Sequence, residues 1–199
     1  MAKVALNKSS MHRESKRLKA FEQYLPALDL KRKQIIGERF RARRQLAELE
    51  QQVEGLREQV REQLPMMAEE GIDLNGLVTL NGVQLGEENL VGIHLPTLTS
   101  LDLSRAPYSL FARPHWVDAL CNVLEQMIRL RVLRRIQQRR LVLLDEALQK
   151  TTQRINLFEK VLIPAARANI RRIRIFLSDA ERAGVVRAKI SKDKQRRHA

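Results

Sequence analysis

The chain carries a single cysteine, Cys121. No intramolecular disulfide can form and no cysteine cluster can hold a metal. Aromatic residues make up 4% of the sequence. That is sparse for a large globular core and suits long helices that bury a narrow seam. No apolar run approaches the ~20 residues that cross a bilayer. The first ten residues lack the apolar stretch of a secretion signal, so a cytoplasmic location is expected. The four histidines, His12, His94, His115 and His198, have no ligand spacing among them. No Walker A loop, GxGxxG turn or nucleophile elbow occurs. The sequence therefore offers no catalytic residue, no cofactor site and no metal site.

What is abundant is charge. Charged residues make up 30% of the chain, and the formal net charge is +14. Residues 1–44 carry +9, residues 45–115 carry −7 and residues 116–199 carry +12. Two basic ends flank an acidic middle. A protein this basic seeks anionic partners, whether nucleic acid, acidic lipid or acidic protein surfaces.

From Leu18, alternate steps of three and four reach Leu18, Phe21, Leu25, Leu28, Arg32, Ile35, Arg39, Ala42, Leu46, Leu49, Val53, Leu56 and Val60. All but the two arginines are apolar. This heptad seam predicts a supercoiling helix from about Ser10 to Leu64, ~80 Å long at 1.5 Å per residue. Pro26 should kink or loosen one turn, and Gly37 weakens the helix slightly. Leu64-Pro65 and Gly71 form a stop. A second stripe begins near His115 with Val117, Leu120, Leu124, Met127 and Ile128. It runs on through Leu141, Leu144, Leu148, Thr151, Ile155, Phe158 and Leu162. It then shifts to Ala166, Ile170, Ile173, Leu177 and Ala180, through two consecutive steps of four. Such a discontinuity locally unwinds a supercoil, and Pro164 within it should bend the helix. Gly184 should fray the end, and the basic residues 186–199 read as a disordered tail.

The middle is different. Gly, Asn and β-branched residues gather between residues 72 and 103. Asn81-Gly82 lies between Leu77–Leu80 and Val83–Leu85, which predicts a hairpin with a type I′ turn at Asn81-Gly82. A second extended run covers Leu90–Leu103, with Pro96 at an edge or a break. The expected fold is thus mainly α: a long antiparallel two-helix coiled coil with a small central β-hairpin-containing insert. The segments are 1–64, 65–114 and 115–199 in one structural unit. Antiparallel pairing would bring the two basic ends together and leave the acidic insert at the other end.

Several residues have two readings. Arg32 and Arg39 at seam positions are either register devices that snorkel from the seam edge or arginines exposed to a surrounding partner. The cluster Arg129, Arg131, Arg134, Arg135, Arg139 and Arg140 is either a solvated face paired with Glu48, Glu50, Glu54, Glu58 and Glu62 of the first helix, or a nucleic-acid patch. The second reading lacks interleaved aromatics for base stacking. Cys121, beside the apolar stripe, reads as packing rather than reactivity.

The ends carry a resemblance. Asn7-Lys8-Ser9, Leu18-Lys19 and Leu28-Asp29-Leu30-Lys31-Arg32-Lys33 resemble the opening of the D subunit of the V/A-type rotary ATPases. Thr152-Gln153-Arg154-Ile155-Asn156-Leu157-Phe158-Glu159-Lys160-Val161-Leu162-Ile163-Pro164 resembles a segment of the same family's last helix. Ile170 to Leu177 and Glu181-Arg182 resemble its continuation. The likeness covers both long helices, about two thirds of the chain. It implies a non-catalytic central rotor shaft, peripheral to the membrane in a bound complex, that binds no nucleotide. Its helical tip would enter the hexamer of catalytic A and B subunits. Its insert end would join the F subunit and the funnel-shaped adaptor on the membrane ring. Candidate partner contacts are Lys16, Arg17, Lys19, Arg32, Arg39, Arg167, Arg171, Arg174 and Arg182, with Asn81 and Gly82 on the insert. The rival readings are a nucleic-acid-binding coiled coil, with steeply salt-dependent affinity, and a coiled-coil adaptor on an acidic membrane surface.

Overall fold

A computed structural model of the chain describes residues 4–65, 75–107, 114 and 116–198. The fold is mainly helical, two long packed helical segments with an antiparallel β-hairpin between them. Helix α1 is Lys8–Gln63, strands β1 and β2 are Val78–Leu90 and Ile93–Arg105, and α2 is Trp116–Leu157. A π-helical turn, Phe158–Leu162, leads into α3, Ile163–His198. The chain divides into two compact units. One holds the residues up to Arg32 together with those from Lys150 on, and the other holds Lys33–Gln149.

Asn7 starts α1. Its side-chain Oδ1 accepts the Ser10 N–H at 2.7 Å, which satisfies one of the donors that a helix N-terminus leaves open. The helix continues through Pro26 to Gln63. All thirteen heptad positions read from the sequence are buried or half-buried, and Ile35, Ala42 and Val53 are closed off almost entirely. The predicted stop at Gly71 lies outside the described residues.

In the unit Lys33–Gln149, α1 and α2 run antiparallel. Gln137 Nε2 donates to Gln45 Oε1, and Arg39 pairs with Asp145. Residues rising along α1 thus meet residues falling along α2. Two apolar clusters hold this unit. In the first, Leu64 and Leu77 meet Trp116, Val117, Leu120 and Cys121. In the second, Leu95 of the hairpin sits among Ile35, Ala42 and Leu144, with Leu90 and Ile93 beside it. The hairpin therefore lies back along the helices, anchored near its base and near its turn. Burial of Cys121 agrees with its reading as a packing residue.

The hairpin differs from the sequence expectation. Asn81-Gly82 is not the turn but lies inside β1, where the register slips by one residue between Leu80 and Gly82. The turn is Val91-Gly92, with φ of 51° and 78°. Both central residues of a type I′ turn need positive φ, which glycine takes freely and a β-branched residue resists. The Gly92 N–H is held by Asn89 Oδ1 at 2.8 Å. Turning at Asn81-Gly82 would leave short strands and strip Leu90, Ile93 and Leu95 of their place against Ile35 and Leu144. Pro96 interrupts nothing; it pairs with Glu87 inside β2, whose outer edge needs no donor in a two-stranded ribbon.

In the other unit, Phe21 meets Phe158 edge to face, with ring centroids 5.3 Å apart. Asn169 Nδ2 donates to Glu14 Oε2 at 3.3 Å, and Arg167 pairs with Glu22 at 2.8 Å. Two expectations change here. The discontinuity near Pro164 is absorbed by the π turn, in which the Ile163 N–H reaches back five residues to the Phe158 carbonyl. A π turn adds one residue to the helical repeat. The buried Ala166 and Ile173 lie one position later than an unbroken heptad from Ile155 would place them. The inserted residue thus accounts for the phase change, and the wider turn makes room for a proline that cannot donate. Secondly, residues 186–198 are not a disordered tail. The helix runs through Gly184 to His198.

Candidate interaction surface

Among the described residues no group of three or more histidine, cysteine or acidic side chains could hold a metal. No helix there is long and apolar enough to cross a membrane. The surface features to weigh are thus charged faces and exposed apolar residues.

Eight of the candidate contact residues belong to the unit that holds both ends of the chain. Lys16, Arg17, Lys19, Arg171, Arg174 and Arg182 are exposed. Arg17 donates to the buried Glu14 at 3.0 Å, and Arg167 pairs with Glu22. Arg32 is half-buried and forms an ion pair with Asp29 at 2.8 Å, one turn away on the same helix. Arg39, in the other unit, is also half-buried and pairs with Asp145 of α2. Arg39 thus has an acidic partner across the helix pair, whereas that of Arg32 lies on its own helix. Asn81 and Gly82 stand apart from these. Asn81 Oδ1 accepts from Ser104 Oγ at 3.2 Å and from Thr79 Oγ1 at 3.4 Å, so its side chain stitches the two strands at the bulge.

α3 presents the plainest exposed surface. From Glu181 to Arg197 every residue is exposed. This stretch carries Arg182, Arg187, Lys189, Lys192, Lys194, Arg196 and Arg197 against only Glu181 and Asp193. Val186 and Ile190, one turn apart, are 56% and 51% exposed. The apolar side chains of this basic helix lie in water, and none of the described residues covers them.

The arginine cluster on α2 departs from the paired face expected of it. Among the described residues none of its members pairs with Glu48, Glu50, Glu54, Glu58 or Glu62. Glu48 and Glu54 instead take Arg44 and Arg57 of their own helix. Arg140 turns inward, only 13% exposed, and ties three elements together. It bonds Glu88 of β1 at 2.9 Å, lies 3.8 Å from Glu38 of α1, and donates to the Pro96 carbonyl at 3.3 Å. At the other end of the hairpin, Arg105 forks onto Glu125 and Asn122 of α2. That hydrogen bond, reinforced by the guanidinium charge, holds the Glu125 carboxyl below its ordinary 4.5. Arg105 was not singled out from the sequence, and Arg140 stood out only as one of the six arginines of the α2 cluster. Only their contacts across strand and helix distinguish them from neighbouring arginines.

The profile of the ATP synthase D-subunit family matches residues 10–193. The chain belongs to the family of V-type ATP synthase D subunits. It is 33% identical to the V-type ATP synthase D subunit of Borreliella burgdorferi over 194 residues, covering 96% of this chain and 95% of that protein. To the corresponding protein of Chlamydia muridarum it is 32% identical over 203 residues, covering 99% and 98%. The match spans the hairpin as well as the long helices that carried the resemblance.

Proposed function

We propose that the chain is a non-catalytic subunit of a V-type rotary ATP synthase or ATPase, and that it forms the central shaft of that complex. The observation that carries this reading is the helix from Glu181 to Arg197, fully exposed and strongly basic, in a chain that the D-subunit family profile matches over residues 10–193. Most of a helix's stability in a protein comes from packing one of its faces, and this stretch packs against none of the described residues. Such a helix calls for a surrounding partner that covers Val186 and Ile190 and offers negative charge. In this reading the partner is the ring of catalytic A and B subunits. Lys16, Arg17, Lys19, Arg167, Arg171, Arg174 and Arg182 line the part of the shaft that faces it, and the hairpin side meets the F subunit and the adaptor on the membrane ring. A shaft transmits torque only if its contacts with the ring differ between rotational states. Its two unlike helices, with different exposed side chains, supply that asymmetry to a repeating ring.

The test is purification from the native membrane fraction. The A and B subunits should accompany the full chain, and a chain ending at Ala180 should lose coupled ATP hydrolysis or fail to assemble. Full assembly and coupling by the truncated chain would refute the proposal.

A further inference from the structure

The hairpin and α2 enclose an open groove of about 400 Å³. Its walls are Leu80, Val83 and Leu85 of β1 with Val132 and Ile136 of α2. The three strand residues are 45%, 39% and 57% exposed. Val83 and Leu85 share a face by ordinary alternation, and Leu80 joins them only because of the register slip at Asn81. Leu80 and Val83 would fall on opposite faces of a regular strand, but they pair with Leu103 and Leu101, two residues apart on β2. The bulge that displaced the expected turn thus builds a continuous apolar strip. Exposed strips of this kind mark binding surfaces.

The rim of the groove carries Arg135 and Arg139, one helical turn apart on α2. Among the described residues no acid pairs with either, whereas the adjacent Arg140 has Glu88 and Glu38. Two of the α1 glutamates expected to pair with the arginine cluster, Glu48 and Glu54, are engaged by Arg44 and Arg57 of their own helix. We propose that this groove is the docking site for an acidic amphipathic helix of another subunit of the complex. Apolar side chains of that helix at i, i+3 and i+4 fill the space over Val83 and Leu85, and two carboxylates one turn apart meet Arg135 and Arg139. The inference rests on the reading of the chain as a subunit of a rotary complex.

The complex is purified from membranes with the photo-crosslinking residue benzoylphenylalanine at Val83 or Leu85, and, as a control on the opposite strand face, at Gln84. The expected adducts from positions 83 and 85 map to a single segment of another subunit. That segment carries apolar residues at helical spacing and acids one turn apart, and position 84 gives little. The double change R135E/R139E lowers the adduct yield about tenfold, in line with the loss of close charge pairs at an interface. Reversing the charge of the mapped acids restores it. An L85S variant, exposed and neutral to the charge pairs, should weaken the adduct at Val83 while leaving the thermal midpoint of the chain unchanged. The inference is overturned by adducts only to a second copy of this chain or to lipid, by a segment without acids, by an unaltered yield in R135E/R139E, or by no adduct in an assembled complex. Purified material holding this chain alone would defeat the functional reading itself, and this inference with it.

Discussion

Two leucines of the same hairpin should respond very differently to truncation. Leu95 is 0% exposed and sits among Ile35, Ala42 and Leu144, whereas Leu85 is 57% exposed. Leu95→Ala removes about three buried carbons, a transfer loss of roughly 2.4 kcal/mol. The cavity left in a cluster that cannot fully collapse adds about 1 kcal/mol more. The total, about 3 to 4 kcal/mol, is a large share of the stability of a small protein. Leu85→Ala should cost under about 0.5 kcal/mol, as surface changes generally do. Urea unfolding gives the two free energies. Amide hydrogen exchange then locates the damage, because Leu95 with its neighbours Leu90 and Ile93 anchors the turn end of the hairpin to the helices. Loss of protection should concentrate between Leu85 and Leu98, while the base held by Leu77 and Trp116 stays protected. A cost below about 1 kcal/mol for Leu95→Ala, or unchanged protection of the hairpin, would refute the view that the turn end is pinned by this cluster.

Three further outcomes follow from local geometry. Val91→Asn should stabilise the hairpin by about 1 kcal/mol in a denaturant titration, since Asn tolerates the left-handed conformation that a β-branched residue resists. Deleting Val161 together with Pro164→Ala should convert the π turn to α-helix without changing the phase of Ala166 and Ile173, leaving a cooperative thermal transition. Deleting the exposed Gln149 instead should rotate every residue after it by about 100° off the seam and broaden or abolish that transition. The Glu125 carboxyl, held below its ordinary 4.5 in the folded chain, stabilises the hairpin base at pH above that of the unfolded carboxyl. That contribution is lost as pH falls through the depressed folded value. The difference in thermal midpoint between the wild-type chain and Glu125→Gln should therefore shrink from neutral pH to acid, and a constant difference would show that Arg105 does not hold the carboxylate.

The helices were legible because their signal is long and repeated. Thirteen positions on α1 agree on one phase, and neither Pro26 nor Gly37 can overrule them. The phase change near Pro164 was also legible, though not its form, since spacing alone does not separate a bend from a π turn. The hairpin was legible in kind but not in register. Asn81-Gly82 is a strong local signal, yet the decisive energy lies in Leu95 meeting Ile35 and Leu144, residues distant in sequence. The helical end of α3 was misread because composition alone suggested disorder there. The candidate contact surface was legible only as charge. Which arginines face inward, as Arg140 does, and which rim a groove, as Arg135 and Arg139 do, depends on side-chain contacts that the linear pattern does not contain.

The placement of acidic partners connects these features. Along the unit Lys33–Gln149 the inward arginines, Arg39 and Arg140, meet Asp145, Glu88 and Glu38 across elements, and so fix how the helices and the hairpin register against one another. Other glutamates of α1 are taken up by neighbours one turn away, as Glu48 is by Arg44 and Glu54 by Arg57. Such exposed pairs contribute little to stability. Beside the apolar strip, Arg135 and Arg139 have no acidic partner among the described residues. A solitary chain gains nothing from holding two guanidinium groups over an open hydrophobic groove. A chain within a complex does gain: the unpaired charges attract an acidic partner and fix its register, and the leucines of the bulged strand retain it once water is excluded. The bulge at Asn81, which gives up one regular step of the ladder, is intelligible on the same terms, since it is what turns Leu80 and Val83 to the same side.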